Sequence, residues 1–293
     1  MGTYSIKELE QLSGIKAHTI RIWEKRHRLI EPQRTDTNIR LYSDHDLKKI
    51  INVSLLNSNG YKISAIARMR QDELNKRVVE LTDNSNNAAV FIDRFITAMI
   101  DLDEEKFENE MIAVEQRYGF EAAVTDVVYP FLEKIGILWQ TGNITPAHEH
   151  FISNLIRQRI LVAIAALPKN SKATIRAVLF LPEYELHEIG LLFFHYITRK
   201  KGFKTFYLGQ SVPHEDLKTI CKIHNPHIIV TSLTSVPATT QLNNYIKKLS
   251  EDFPQALIFA SGALLRRSSF AFPTNLRFFA SAKDLQQLLA PFT

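Results

Sequence analysis

Thr174–Leu181 is a near-continuous apolar run that stops at Pro182, and it constrains the fold of this chain more than any other stretch. Apolar residues at almost every position, rather than at alternate ones, describe a strand covered on both faces. Such strands belong to parallel sheets flanked by helices. Beyond the run come Glu185, His187 and Gly190, then Leu191, Leu192, His195, Tyr196 and Arg199 at helical spacing as far as Lys201-Gly202. The Glu, His and Gly therefore fall in a strand-to-helix loop at the strand's C-terminal end, where open α/β sheets hold their ligands. Further runs end near Leu208, Val230 and Phe259, with helical patterns between them. A last strand, Leu276 to Ala280, and a helix, Ala282 to Ala290, complete the pattern of a five-stranded doubly wound parallel sheet.

Upstream the period changes. From Ala88 to about Leu167 it is helical throughout, enough for a four-helix bundle, with Gly142 and Pro146 marking a break. Thr82-Asp83-Asn84-Ser85-Asn86-Asn87 is polar and reads as a linker. Before it, Ser5-x-x-Glu8 is a capping box, Ile6, Leu9 and Leu12 line a short helix, and Ser13-Gly14 is a turn. A second helix, roughly Ala17 to Lys25, turns Ile20 and Trp23 inward, which is a helix-turn-helix pattern. The fold class is thus multidomain, α and α/β: an N-terminal helix-turn-helix module (1–80), to which a family resemblance adds a wing, a central four-helix bundle (88–168) and the doubly wound domain (172–293).

Composition narrows the function. The 293 residues, 45% hydrophobic and 23% charged, suit two domains or three smaller modules with ample core. No run of 18 apolar residues and no apolar N-terminal stretch predicts no membrane partner and a cytoplasmic location. The single Cys221 excludes an internal disulfide or a multi-thiolate metal site. No Gly-rich phosphate loop or catalytic triad is present, so no enzyme is predicted. The net charge of +5 is uneven: residues 1–62 hold +4 of it. A nucleic-acid footprint belongs there.

Two resemblances sharpen these readings. Arg21-x-Trp23-Glu24-x-Arg26, Leu29, Pro32-x-Arg34 and Arg40-x-Tyr42-Ser43 resemble the MerR family of winged-helix regulators over about 70 residues. Asn38 stands where the family has a Gly near the wing tip, and Asn tolerates positive φ. The resemblance and the clustered charge put Arg21, Lys25, Arg26, Arg34, Arg40 and Tyr42 at double-stranded promoter DNA. Lys16, His18 and Thr19, at the start of the second helix, are placed to read bases.

Glu185-x-His187-x-x-Gly190 resembles the Asp/Glu-x-His-x-x-Gly signature of cobalamin-binding Rossmann-like domains. Forty-one residues separate Gly190 from Ser232-Leu233-Thr234, and twenty-six more precede Ser261-Gly262. These spacings match the family's remaining elements, with Ser261 replacing the first Gly of a pair. Trp139, followed after nine residues by Glu149-His150, resembles the helical cap over the corrin's upper face. The resemblance implies cobalamin, most plainly adenosylcobalamin, with His187 as the metal ligand below cobalt. Glu185 either orients the second ring nitrogen or faces solvent. Gly190 admits the corrin, and Ser232, Thr234, Ser261 and Gly262 receive the displaced benzimidazole tail. There Ser261 either crowds the tail or adds a hydrogen bond.

Together these features describe a cobalamin-controlled transcriptional repressor, working as a homo-oligomer (dimer or tetramer) and similar to light-responsive repressors of carotenoid genes. In light-sensing relatives a His follows the cap Trp; here it is Gln140, a poor cobalt ligand. Two alternatives are a regulator that has lost cobalamin and answers to a protein partner, and a corrinoid carrier subunit of a methyltransferase.

Overall fold

The computed structural model describes residues 3–84, 88–140, 145–168, 170, 173–237 and 241–292, and for residues 79, 81–84 and 137–140 the backbone alone. The chain divides into two compact units, Met1–Leu155 and Ile156–Thr293.

The first unit opens with β1 (Thr3–Tyr4), α1 (Ile6–Ser13) and α2 (Ala17–His27), then β2 (Gln33–Arg34), β3 (Arg40–Ser43), α3 (Asp44–Ser58), α4 (Ile63–Ile66) and α5 (Gln71–Asn84). Local chemistry fixes the helix ends. Glu8 accepts from the Ser5 backbone N–H at 2.5 Å, and α1 stops at Gly14, whose φ of +71° suits a residue without Cβ. Ser43 and Asp46 cap α3 reciprocally, through bonds of 2.9 and 3.2 Å. The strands pair antiparallel in the order β1-β3-β2, and Asn38 at the wing tip has φ +65°. Leu9, Leu12, Ile20, Trp23, Leu47 and Ile50 form the core beneath. Thr82 to Asn84, expected in a linker, instead prolong α5: a polar sequence can extend a helix that is already nucleated. Residues 85–87 lie outside the described residues.

The bundle follows: α6 (Ala88–Asp101), α7 (Glu104–Tyr118), α8 (Phe120–Ala122), which passes through a π-helical segment (Ala123–Val128) into α9 (Tyr129–Gln140), and α10 (Pro146–Ala166). Phe95 packs 4.6 Å from Phe107 and 5.4 Å from Phe131, between ring centroids. The π segment has a cause in Pro130. That residue has no N–H to give the preceding turn and its ring crowds the carbonyl behind it, so the turn widens. Pro146 starts α10, where a missing N–H costs nothing; Gly142 lies outside the described residues.

The second unit begins within α10 and holds β4 (Arg176–Pro182), α11 (Glu188–Lys200), β5 (Lys204–Val212), α12 (His214–His224), β6 (Ile228–Ser232), α13 (Leu242–Asp252), β7 (Leu257–Ser261), α14 (Ala263–Arg266), β8 (Leu276–Phe278) and α15 (Ala282–Leu289). All five strands are parallel, in the order β5-β4-β6-β7-β8. Residues 177–182 of β4 are all buried, as a strand covered on both faces requires. The chain leaves β4 for β5 on one side and then crosses to β6 on the other. The strand order therefore reverses between β4 and β6, and the crevice at their C-terminal ends is the topological switch point. The loops after β4 and β6 meet there.

Candidate functional site

Past β4 the chain turns sharply. The Glu185 N–H donates to the Pro182 carbonyl at 2.9 Å and Tyr184 takes φ +66°. The turn drives Glu185 inward until its side chain is fully buried. Its carboxylate accepts three backbone N–H groups of the loop after β6, from Thr234 (2.9 Å), Ser235 (2.7 Å) and Val236 (3.2 Å), together with the Ser235 hydroxyl at 3.2 Å. It also meets His187 Nδ1 at 2.5 Å. Burial alone would raise its pKa, but the bond to His187 and the Ser235, Thr234 and Val236 N–H groups outweigh it and hold the carboxyl at about 2. Glu185 is therefore an anion at any physiological pH. It ties the β4 loop to the β6 loop and fixes the His187 ring by Nδ1, while that side chain stays 60% exposed. A carboxylate on one ring nitrogen is the arrangement that orients metal-ligating histidines in general.

Around this pair lie the other residues singled out in the sequence. Ser232 and Ser261 are register partners at the ends of β6 and β7, both buried, and Thr234 is half-buried beside them. The two glycines differ. A Cβ on Gly190 would meet only Phe194 Cε2, at 4.0 Å, so nothing inside the chain requires a glycine there. At Gly262, φ is +112° and a Cβ would lie 2.2 Å from the Leu233 carbonyl oxygen. That glycine is demanded by the backbone of Leu233, whatever enters the slot beside it.

Sequence reasoning missed Ser235 and Val236, because backbone donors carry no side-chain signature. It also missed Glu188. Buried at the start of α11, Glu188 accepts from Arg157 Nε at 2.7 Å and from the Tyr207 hydroxyl at 2.9 Å. Burial and the Glu188 carboxylate push the Tyr207 hydroxyl's pKa up. In the first unit, Glu149 and His150 are neighbours near the start of α10. Glu149 Oε2 lies 2.9 Å from His150 Nδ1, and the His150 side chain is 70% exposed. The side chains of Trp139 and Gln140 lie outside the described residues.

On α2, Lys16 (at its N-cap), His18, Arg21, Lys25 and Arg26 are exposed and Thr19 is half-exposed, while Ile20 and Trp23 enter the core. His18, Arg21 and Lys25 recur at three and four residues and so share a face. Lys16 pairs with Glu10 at 3.0 Å. Arg34 is exposed on β2, its Nη1 donating to Asn38 Oδ1 at 2.6 Å. Tyr42 departs from expectation, while its strand neighbour Arg40 stays partly exposed. Two residues apart on β3, they point to one face, and that face meets α2. Arg40 Nε binds Glu24 Oε2 at 3.0 Å. Tyr42, expected at DNA, is instead fully buried, its hydroxyl 3.4 Å from Glu24. Burial and the Glu24 charge raise its pKa to about 12. Tyr42 is a core residue that seats the wing on the helix. Exposed Ile22 and Ile39 escaped sequence reasoning, since an apolar residue gives no electrostatic signal.

Comparison with known proteins matches the N-terminal module and the helical bundle. Residues 4–73 match the MerR HTH family regulatory protein and residues 91–163 match the B12 binding domain. The chain is a MerR-type helix-turn-helix regulator joined to a B12-binding domain. It is homologous over most of its length to two proteins of Myxococcus xanthus. It is 26% identical to the HTH-type transcriptional repressor CarH, over 90% of each chain. It is 25% identical to the HTH-type transcriptional repressor CarA, over 84% of this chain and 81% of that one. In fold it resembles the monomethylamine corrinoid protein of Methanosarcina barkeri, with a TM-score of 0.57 and 14% identity over 71% of this chain and all of that one.

Proposed function

We propose that this chain is a transcriptional repressor whose hold on double-stranded promoter DNA is set by cobalamin. The observation that carries the reading is the Glu185–His187 pair at the switch point, in a chain that also bears the basic face of α2. The donor set suits the cofactor. Cobalt accepts an imidazole nitrogen, and an anionic carboxylate on the other nitrogen makes that imidazole a better ligand. Gly190, unneeded by internal packing, suits the close approach of a flat macrocycle.

In this reading His187 would ligate cobalt, Ser232, Thr234, Ser261 and Gly262 would border the nucleotide tail, and Trp139, Glu149 and His150 would belong to the helical cap over the cofactor. The three modules are 1–80, 88–168 and 172–293. Bound adenosylcobalamin supplies a cobalt–carbon bond that light can break. The chain's own part is to hold that group by His187 and to report its presence through association of DNA-binding modules into dimers or tetramers in the cytoplasm. Joining modules raises their effective concentration at neighbouring half-sites.

The corrinoid-carrier reading shares the fold, but the relatives that match most of the chain are repressors. The deciding experiment is retention of adenosylcobalamin by the full chain through gel filtration. Wild type should carry it with the spectrum of histidine-ligated cobalt, and His187→Ala should lose that signature and bind at least tenfold more weakly. Retention with an unaltered spectrum in the variant would remove His187 as the ligand. No retention by wild type would favour the regulator that answers to a partner protein instead.

A further inference from the structure

A cavity of about 410 Å³ lies inside the first unit, walled by α3 and α5 on one side and by α6 and α7 on the other, and none of the cobalamin or DNA residues lines it. Its fixed charges do not balance. Lys48, Lys49, Arg94 and Lys106 face two carboxylates, Asp101 and Glu110. Both carboxylates are already engaged: Asp101 by Lys48 at 2.5 Å, and Glu110 by Arg94 Nη1 at 2.7 and 2.8 Å. Lys49 and Lys106 are left half-buried, and among the described residues neither forms an ion pair. Arg94 Nη2 is buried with no hydrogen-bond partner among them. Asn75 adds an amide whose Oδ1 already accepts from Asn52 and Gln71, so the other end of that amide is the one available to a ligand.

Clustered, partly hydrated cations lining one cleft raise the local positive potential and draw in an anion of more than one charge. The size falls at the small end of the range for small-molecule sites, far below what a corrin needs. We infer that this cavity is an effector site for a small oxyanion carrying two or more charges, such as a phosphorylated or polycarboxylate metabolite. Lys49 and Lys106 would supply the charge-assisted hydrogen bonds, with the paired Lys48 and Arg94 adding positive charge to the wall. Its walls belong to the DNA-binding module and to the bundle, so an occupant bridges the two and biases how the module is held, independently of cobalamin.

The test is titration calorimetry on the full chain at matched ionic strength, with pyrophosphate and citrate as separate probes. One saturable site per chain is expected for at least one probe, and which probe binds tells phosphate from carboxylate recognition. Lys49→Gln with Lys106→Gln should weaken binding at least tenfold, and the exposed Lys222→Gln should leave it unchanged. Neither glutamine breaks an ion pair, and an unshifted melting curve without probe confirms the fold. No saturable binding in the millimolar range, or equal affinity in the double variant, overturns the inference.

Discussion

Glu185 shows how much one side chain can fix. Replacing it with Gln keeps the shape but sets an amide N–H₂ against the N–H groups of residues 234–236. The expected cost is about 1–3 kcal/mol of stability, read by urea unfolding of the cofactor-free protein. The pH dependence follows from the lowered pKa. Because the folded carboxyl sits at about 2, against an ordinary value of 4.5, the unfolded chain binds the proton more readily. Stability from this group is complete above pH ~4.5 and disappears as pH falls toward ~2. Glu185→Gln should therefore flatten the acid limb of the stability profile in that window, and an unaltered limb would show that the carboxylate bears little of the load. The sequence spacing revealed that Glu185 and His187 belong together. It did not reveal that the carboxylate turns inward, because that depends on a positive-φ turn at Tyr184 and on backbone donors from a loop about fifty residues away.

Elements were easier to read than side-chain partners. The apolar runs of β4, β6 and β7 and the helical period of α6 to α10 stand out in the sequence because burial dictates them directly. The π-helical segment did not, although Pro130 was its only sign. The wing was half legible: its position was clear, but which face of β3 looks outward depends on register with α2. That difference predicts two outcomes for one assay. Arg21→Ala or Lys25→Ala should weaken DNA binding and reduce the slope of log K against log salt by about 0.9 for each phosphate no longer neutralised. Arg40→Ala should leave the slope unchanged while lowering the melting temperature, since it removes the partner of Glu24 and loosens the wing. Reversal of the two patterns would return Arg40 to the set that neutralises phosphates.

At the scale of the whole molecule, the proposal that cobalamin governs assembly is tested on a single adenosylcobalamin-loaded sample. In darkness it should elute as a higher oligomer and bind operator more tightly than after green light, because linking a second DNA-reading pair adds avidity. Identical size and affinity in both states would remove light as the signal and leave the presence of cofactor as the switch.

The two glycines near the switch point imply different histories for their positions. Gly262 is held by the chain's own backbone, so a lineage that abandoned the corrin would still have to keep it or rebuild the turn against Leu233. Among the described residues nothing crowds Gly190, and if the proposed corrin contact were given up an alanine would enter at little cost. Drift at position 190, with position 262 unchanged, is thus the mark that loss of the corrin would leave in a descendant.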